Sequence, residues 1–287
     1  MSKVFVIVLN FNLKKDILDC LSSLNKLSVV SCQLSVVVVD NASADGSPQA
    51  IKEQFPKVAL IENKQNLGFS GGNNVGIKYA LEQGADFVLI LNPDTVVDEN
   101  LVDELQAATR RHHKVGIFGP KIYFYIPDIQ IWYAGGQLDW DNILASHVGV
   151  DQIDKGQFSK EQATDFVSGA AMFVRREVFD KVGLFDERYF LYYEDSDLCI
   201  RAQQAGFDLI FTPRAFLWHK NAAATGLGSP LQDYYITRNR LLFAQKFARF
   251  RARFALFRES LKFLFGTNST KRRAVVDYYL GRFGKGI

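Results

Sequence analysis

The residues best suited to acid–base chemistry form one acidic group in the last third of the chain. Glu194, Asp195 and Asp197 follow an aromatic stretch, residues 189–193, at the point where a helix is predicted to begin. Acids in a first helical turn are favoured by the helix dipole, so a purely stabilising role is one interpretation. Nearby aromatic rings would partly desolvate a carboxylate that points back towards them, which raises its proton affinity. The group is therefore also a candidate source of a general base.

A further carboxylate stands where an apolar run stops. Residues 88–91 are typical of a strand buried on both faces, Pro93 ends it, and Asp94 follows. Open α/β sheets bind ligands beyond the carboxyl ends of their strands, where a carboxylate can hold a divalent cation against phosphate. Ordinary turn or capping chemistry is the alternative. His219, a lone histidine after apolar residues, is either structural or completes such a metal site.

The elements that must position these groups alternate along the chain. Buried-strand patterns cover residues 4–9, 34–39, 58–62 and 88–91. Helical patterns separate these strands, which predicts an α/β fold with right-handed βαβ units and a mostly parallel sheet. Asn10 and Asp40 each follow a strand, so a parallel arrangement brings them to the same edge of the sheet.

A glycine-rich segment follows the third predicted strand. It contains Gly68, Gly71, Gly72 and Gly76 and leads into a helix that ends near residue 82. Neither its spacing nor its position is that of the dinucleotide-binding fingerprint. Two interpretations remain, a tight turn with close helix packing and a helix N-terminus that faces a phosphate.

The second half of the chain is less regular. Further strands are predicted over residues 115–125 and 208–212, and further helices over 98–111, 176–181 and 194–205. Residues 131–150 are typical of a hairpin or long loop, and the polar residues 152–162 are predicted to be mobile. The small residues 168–171 allow another group to approach the backbone closely.

Composition limits the class of protein. A chain of 287 residues with 48% hydrophobic residues can bury a large core. The three cysteines, Cys20, Cys32 and Cys199, lack metal-type spacing and are expected to be reduced thiols. No apolar stretch approaches the length of a spanning helix, and residues 4–9 are too short for a signal-peptide core. We therefore expect a cytoplasmic protein, free or bound to a surface.

The C-terminal segment carries the excess positive charge. Residues 236–287 contain thirteen Lys and Arg against two acids, although the net charge of the whole chain is only +3. Apolar residues alternate at spacings of four and three with basic residues between them, which predicts an amphipathic helix over 242–264. The apolar positions are Phe243, Phe247, Phe250, Phe254, Phe257, Leu261 and Leu264. Such a helix suits an anionic membrane surface; docking on the protein's own core, or a nucleic-acid or coiled-coil face, are alternatives.

Together the motifs resemble those of glycosyltransferase family 2, and especially its bacterial rhamnosyltransferase-like branch. The matching segments, in the family's order, are Val39 to Ser43, Asn66 to Phe69, Asn73 to Gly76, Asn92 to Asp94, Gly183 to Asp186, Tyr193 to Leu198, and Arg238 with Asn239. The resemblance implies a GT-A domain over residues 1–235, with a Rossmann-like, mixed but mostly parallel sheet flanked by helices. Residues 236–287 would form a basic amphipathic helical tail.

The resemblance also implies how the donor is held. Asn10 and Asp40 would contact the base and ribose of a nucleotide. Gly68 and Asn73 belong to a loop, residues 68–74, expected beside the nucleotide sugar. Arg238 would contact the donor as well.

Metal and catalytic roles follow from the same resemblance. Asp94 occupies the last position of the family's Asp-X-Asp motif and would meet a Mg²⁺ or Mn²⁺ ion bound to the diphosphate. Asn92 replaces the first acid, which leaves one metal carboxylate instead of two. His219 matches a position that approaches the metal. Asp195 would be the general base, with Glu194 as the second candidate.

The implied reaction is a single displacement that inverts the anomeric centre. The implied donor is dTDP-rhamnose or a UDP-sugar, and the implied acceptor is a saccharide or a polyprenyl-diphosphate-linked saccharide. The basic tail would then hold the enzyme on the inner face of the cell membrane, in cell-surface polysaccharide synthesis. Nucleic acid is not an expected partner, whereas an oligomer is compatible with the sequence. A sugar nucleotidyltransferase and a non-catalytic, membrane-associated sugar-binding or scaffold protein are the alternatives.

Overall fold

The computed structural model describes residues 1–220 and 228–287, which form twelve strands and nine helices. The strands are β1 (Ser2–Asn10), β2 (Cys32–Asp40), β3 (Ala59–Glu62), β4 (Phe87–Leu91), β5 (Thr95–Val97), β6 (Val115–Phe124), β7 (Ile131–Tyr133), β8 (Gly136–Asp139), β9 (Leu144–His147), β10 (Gln162–Ala163), β11 (Ala171–Arg175) and β12 (Asp208–His219). The helices are α1 (Lys14–Leu24), α2 (Ser47–Gln54), α3 (Gly68–Glu82), α4 (Leu101–Arg111), α5 (Arg176–Val182), α6 (Glu194–Gln204), α7 (Pro230–Phe247), α8 (Phe250–Phe265) and α9 (Ser269–Tyr279).

One large sheet forms the centre of the molecule. Its strand order is β10-β12-β6-β11-β4-β1-β2-β3, with β5 paired to β12 and β7 paired to β6. Strands β3, β2, β1 and β4 are parallel, whereas β11 runs antiparallel between β4 and β6. The predicted mixed, mostly parallel sheet is confirmed. Its central strands are continuous apolar runs because helices cover both of their faces.

Alternation along β1 divides the core between the two faces. Phe5 and Ile7 belong to the cluster beneath α3, α5, α6 and α7, whereas Val4, Val6 and Val8 belong to the cluster beneath α1, α2 and α4. Successive side chains of a strand point to opposite faces, so one apolar run supplies both layers.

The glycines of α3 allow that helix to lie close to the sheet. A Cβ on Gly76 would lie 2.4 Å from Cγ2 of Ile7, and one on Gly72 would lie 2.3 Å from Cδ1 of Leu9. Close helix packing is therefore the role of these two glycines. The predicted loop over residues 68–74 is wrong, because α3 already begins at Gly68.

The region between β6 and β11 contains more order than the sequence indicated. The predicted hairpin within 131–150 is present as the β8–β9 pair. Asp154, in the segment predicted to be mobile, accepts hydrogen bonds from Lys121 Nζ at 2.7 Å and Tyr123 OH at 2.6 Å. That segment is therefore anchored to the sheet at this point.

The C-terminal segment forms three helices, α7, α8 and α9, instead of the single amphipathic helix predicted over residues 242–264. The predicted helix 242–264 is interrupted, since Ala248 and Arg249 are extended with ψ of 151° and 158°. Residue 236, the predicted domain boundary, lies inside α7, and Leu241 to Ala244 belong to the core on the α3 face. No helix within 1–220 and 228–287 has the length and apolarity needed to cross a membrane.

Candidate functional site

Asn10 and Asp40 end adjacent parallel strands and meet in register. Asn10 Nδ2 donates a 2.8 Å hydrogen bond to Asp40 Oδ2, and the other oxygen of Asp40 accepts from the main-chain N–H of Ser43 at 2.8 Å. Both side chains are buried, and Asn10 Oδ1 has no hydrogen-bond partner in the part of the chain that the structure describes. The two predicted donor-binding residues therefore come together at the carboxyl edge of the sheet, and Asn10 Oδ1 is available there to accept a hydrogen bond.

The start of α3 lies beside this edge but is already capped by protein groups. Gly68 has φ of 72°, and its carbonyl accepts a 3.0 Å hydrogen bond from Asn41 Nδ2. The N–H groups of Phe69 and Ser70 both donate to the carbonyl of Phe190, at 2.6 and 3.3 Å. These N–H groups are therefore occupied, and the expectation that this helix start faces a phosphate is not met by its first turn.

Asn73 sits one turn further along α3 and is completely buried. Its Nδ2 donates to the carbonyl of Phe69 at 3.0 Å. Its Oδ1 has no partner within residues 1–220 and 228–287, and neither has the buried hydroxyl of Ser70. Buried polar atoms are normally hydrogen-bonded. Asn73 Oδ1 and the Ser70 hydroxyl can therefore each form a further hydrogen bond.

Asp94 and His219 are brought together by strand pairing. Strand β5 begins directly after Asp94 and pairs with β12 so that Thr95 stands opposite His219. His219 Nε2 lies 3.1 Å from Asp94 Oδ1 and 3.4 Å from Asn92 Nδ2, and both members of the Asp94–His219 pair are buried. Which ring nitrogen carries the proton depends on the tautomer. The predicted metal pair is thus adjacent, and Asn92 stands next to it.

This pair fits a divalent cation that shares its coordination with a substrate. The structure shows no group of three His, Cys, Asp or Glu side chains suited to a metal in the ranges 1–220 and 228–287. The carboxylate of Asp94 is a ligand type that Mg²⁺ and Mn²⁺ prefer, and a site with so few protein ligands leaves positions for substrate oxygens. His219 Nε2, the ring nitrogen that faces Asp94, is the atom that would reach the same ion.

A cluster of three rings that includes His219 was missed from the sequence. The Trp132 ring lies 4.7 Å from the His219 ring and 4.3 Å from the His147 ring. Burial lowers the pKa of His147 to about 4, so His147 is neutral at physiological pH. Sequence neighbours do not predict this cluster, because it forms only when β7 and β12 both pair with β6.

Asp195 is held by the backbone of a distant segment. The N–H of Gly169 donates to Asp195 Oδ2 at 3.0 Å, and the N–H of Ser196 donates to Oδ1 at 2.6 Å. Burial raises the pKa of the Asp195 carboxyl above its usual value, although these two hydrogen bonds act in the opposite direction. The prediction that a small residue near 168–171 permits close approach is confirmed at Gly169.

The neighbouring acids differ from Asp195 in their surroundings. Glu194 is buried, and burial, reinforced by the charge of Asp195, raises its pKa well above the usual value. Asp197 is fully buried and forms ion pairs with Arg201 and with Lys246 of α7. Only Asp195 combines partial exposure with a raised pKa, which suits a group that accepts a proton from a bound molecule.

Asp195 and the Asp94–His219 pair lie close to the same end of the sheet. Gly169 precedes Ala170, whose carbonyl accepts a 2.9 Å hydrogen bond from the N–H of Asn92. Asn92 in turn stands beside His219. Asp195, Asp94 and His219 therefore converge at the carboxyl edge of β4, the edge at which the sequence predicted Asp94.

Arg238 does not face this edge as a free cation. Its guanidinium is completely buried and donates to the carbonyls of Arg188, Tyr189 and Gly284. The structure thus gives Arg238 contacts with protein carbonyls in place of the predicted contact with a donor, because three acceptors already surround its planar group.

Comparisons with known proteins place the chain in a family. The family model described as glycosyltransferase like family 2 matches residues 2–244. An N-acetylglucosaminyl-diphospho-decaprenol L-rhamnosyltransferase of Mycobacterium tuberculosis is 31% identical over 216 residues, which is 67% of this chain and 68% of the relative. The dTDP-rhamnosyl transferase RfbF of Shigella flexneri is 26% identical over 253 residues, 85% of this chain and 81% of the relative.

The fold has solved counterparts. A mannosyltransferase of Pyrobaculum calidifontis, determined with GDP-Man and Mn²⁺, superposes with a TM-score of 0.60 at 17% identity, over 97% of this chain and 74% of its own. At that identity the likeness concerns the fold alone. The match of the family model over most of the chain, together with the relative at 31% identity, shows that the protein is a member of glycosyltransferase family 2 similar to bacterial rhamnosyltransferases.

Proposed function

We propose that the protein is an inverting, metal-dependent glycosyltransferase that moves rhamnose from a nucleoside-diphosphate sugar to a hydroxyl group of a saccharide acceptor. The observation that carries the proposal is the convergence of Asp195 with the Asp94–His219 pair at one edge of the sheet. A general base and a cation site are the two groups that such a transfer requires.

On the donor side, Asn10 and Asp40 would bind the nucleoside, and Gly68 and Asn73 would lie beside the sugar. The unpartnered Oδ1 atoms of Asn10 and Asn73 are the polar atoms that a donor would satisfy. Asp94 and His219 would hold Mg²⁺ or Mn²⁺. When bound, the ion offsets the negative charge that develops on the leaving diphosphate.

On the acceptor side, Asp195 would remove the proton from the attacking hydroxyl. The acceptor oxygen forms its bond to the anomeric carbon as the bond from that carbon to the diphosphate oxygen breaks, and the nucleoside diphosphate leaves with the electron pair. Attack from the opposite side inverts the anomeric centre. The hydrogen bonds from Gly169 and Ser196 would keep the carboxylate oriented throughout.

Two of the relatives described above are named rhamnosyltransferases, and one of them acts on a decaprenol-linked diphospho-N-acetylglucosamine. We therefore take dTDP-rhamnose as the first donor to test and a UDP-sugar as the second. A polyprenyl-diphosphate-linked saccharide is the first acceptor to test.

Helix α8 supports a location on the inner face of the cell membrane. Its Ala252, Leu256 and Ser260 are buried against the protein, whereas the rings of Phe250 and Phe254 are 81% and 51% exposed on the opposite side. Exposed basic residues flank these rings, namely Arg249, Arg251, Arg258 and Lys262. Exposed rings bordered by cations suit the headgroup region of an anionic lipid surface.

The experiment is a transfer assay paired with ligand binding. Thermal unfolding would be followed with nucleoside diphosphates and nucleotide sugars, each with Mn²⁺ and with chelator, because a ligand that binds only the folded state raises its stability. The preferred donor would then be incubated with a polyprenyl-diphosphate saccharide, and the anomeric configuration of the product determined by NMR. A retained configuration, or the absence of both binding and transfer, would refute the proposal.

A further inference from the structure

The segment that joins Asp186 to α6 has an unusual backbone. Phe190, Tyr192 and Tyr193 all adopt left-handed conformations, with φ of 65°, 68° and 73°. Bulky residues other than glycine rarely adopt this conformation, and it persists only where the surroundings impose it. We call residues 188–193 the left-handed segment.

The left-handed segment connects two parts of the proposed site. The carbonyl of Phe190 accepts from the first N–H groups of α3, those of Phe69 and Ser70. Tyr193 is the N-cap residue of α6, and Asp195 lies two residues beyond it. Any shift of this segment would therefore move the start of α3 and the carboxylate of Asp195 together.

Asn239 of α7 holds the segment from one side. Its Nδ2 lies 2.9 Å from the carbonyl of Tyr189, 2.7 Å from that of Leu191 and 2.9 Å from that of Tyr192. A carboxamide that reaches three carbonyls within four residues of an irregular backbone replaces hydrogen bonds that a helix or a sheet would otherwise supply.

Arg238, the preceding residue, holds the segment from the same side, since both residues contact the carbonyl of Tyr189. Its Nη2 donates to the carbonyls of Arg188 and Tyr189 at 3.1 and 3.0 Å, and its Nε donates to Asn239 Oδ1 at 3.0 Å. The guanidinium lies against the ring of Tyr235, 5.0 Å from its centroid. No carboxylate forms an ion pair with Arg238 among residues 1–220 and 228–287. The charge of this buried cation is therefore directed at carbonyl oxygens and aromatic rings.

We infer that Arg238 and Asn239 are positioning residues for the transfer reaction, which impose the left-handed segment and thereby set Asp195 and the start of α3. This inference rests on the proposed function for the role of Asp195. It also assigns to α7 a part in the site, although residue 236 was predicted as the start of a separate tail.

The test compares Asn239→Ala with a control on the same helix, Gln245→Ala. Gln245 is exposed and accepts a hydrogen bond only from Tyr278 OH among the contacts described for it. Because small misplacements of reacting groups can reduce rates about 100-fold, we expect kcat of Asn239→Ala to fall about that much. The KM for the donor should change far less, and Gln245→Ala should retain wild-type kinetics.

Rescue separates positioning from a general loss of stability. Tyr192→Asn introduces a residue that adopts the left-handed conformation more readily. Added to Asn239→Ala, it should recover about 10-fold in kcat, since the backbone then needs less support. Arg238→Lys keeps the positive charge but loses the planar guanidinium. It is the substitute test if Asn239→Ala does not fold, and the same loss of kcat is expected for it.

Hydrogen exchange supplies a readout independent of sugar transfer. The amides of Phe69 and Ser70 should exchange faster in Asn239→Ala than in wild type, while amides of β1 remain unchanged. Wild-type exchange at these two amides, or a kcat loss that matches only the unfolded fraction, would overturn the inference. An inactive wild-type protein would refute the proposed function instead, and the exchange result would still stand.

Discussion

The main-chain N of Gly169 and Oδ2 of Asp195 lie 3.0 Å apart, although 26 residues separate them in the chain. A Cβ at Gly169 would overlap with Phe69, since it would lie 2.9 Å from Cζ of that ring, whereas its 3.6 Å separation from Cβ of Asp195 would be an ordinary van der Waals contact. A main-chain donor beside β11 is thus placed to orient the carboxylate proposed as the base.

Gly169→Ala should therefore impair catalysis more than folding. Overpacking against Phe69 should lower the free energy of unfolding by about 1–3 kcal/mol. Relief of that overlap should shift the main-chain N–H of residue 169 away from Asp195, so we expect kcat to fall about 10-fold or more. Steady-state kinetics and urea unfolding would measure the two effects. Adding Phe69→Leu should relieve the overlap and recover part of both; unaltered kinetics in the single variant would show that the contact is dispensable.

Asp195→Asn should abolish proton removal while donor binding remains. General-base catalysis contributes about 10²–10⁴-fold, so kcat should fall within that range. In the wild type, log kcat should decline below the raised pKa of Asp195, because only the ionised carboxylate accepts a proton. This decline of log kcat at low pH should be absent from the residual activity of Asp195→Asn. If Asp195→Asn still showed the decline, the pH dependence of kcat would have to come from another ionisable group.

Glu194→Gln should stabilise the protein at neutral and alkaline pH. The pKa of Glu194 is raised by burial and by the charge of Asp195, so its contribution to stability is fully present below the unfolded-state pKa and is lost as pH rises towards the folded-state pKa. Gln lacks this titration. The difference in unfolding free energy should thus be small near pH 4 and grow by up to about 1.4 kcal/mol per pH unit above it.

Thermal or urea unfolding across pH would measure this difference for Glu194→Gln. The control is Glu53→Gln, an exposed acid on α2 for which no such trend is expected. Retained transferase activity in Glu194→Gln would also favour Asp195 as the base. A variant that is less stable than wild type at pH 8 would contradict the raised pKa of Glu194.

Asp94→Ala should weaken metal-dependent donor binding by about 100-fold, because a metal–diphosphate contact contributes several kcal/mol. Isothermal titration with the nucleoside diphosphate, with and without Mn²⁺, would measure it. Asn92→Asp provides the opposite change, since it adds a second carboxylate next to His219, and it should tighten Mn²⁺-dependent binding. Equal affinity of wild type and Asp94→Ala in the presence of Mn²⁺ would remove Asp94 from the metal site.

The variant Phe254→Ser/Phe257→Ser should release the protein from anionic vesicles. Burial of one Phe side chain contributes about 1.5–3 kcal/mol, so the partition coefficient should fall more than about 10-fold. Cosedimentation with phosphatidylglycerol-containing and with purely phosphatidylcholine vesicles would measure binding. Ile126→Ser is the control, because Ile126 is 83% exposed but lies outside α8. Equal loss in both variants would indicate non-specific adsorption.

A substitution is preferable to truncation for this question. Removal of the segment from residue 242 onwards would also remove Lys246, whose Nζ lies 3.0 Å from Asp186 and also contacts Asp197. It would remove Gly284 as well, which hydrogen-bonds Arg188 and Arg238. A truncated protein would therefore lose activity for reasons unrelated to lipid.

The sheet and its polar edge were predictable because they depend on local patterns. Each apolar run of four to six residues became a strand, and the polar residues that end these runs, Asn10, Asp40 and Asp94, gathered where a parallel topology brings them. Strands that are buried on both faces consist of nearly unbroken runs of hydrophobic residues, and such runs can be recognised in the sequence.

The remaining features depend on contacts between distant segments. The left-handed backbone of Phe190 carries no sequence signature, because the aromatic side chain gives no indication of positive φ. The break at Ala248 interrupts a regular pattern of Phe residues without a proline or glycine, so packing outweighs local propensity there. The buried position of Arg238 likewise depends on carbonyls 49 and 46 residues away.

The interruption between α7 and α8 divides the C-terminal region into two parts that we expect to respond differently to substitution. Residues of α7 that face the left-handed segment should tolerate almost no replacement in a mutational scan selected for sugar transfer to a water-soluble acceptor. The outward positions of α8 should tolerate nearly any polar residue in that same selection and become restricted only when the acceptor is presented in a bilayer. The change from the intolerant to the tolerant pattern of substitution should fall at Ala248 and Arg249.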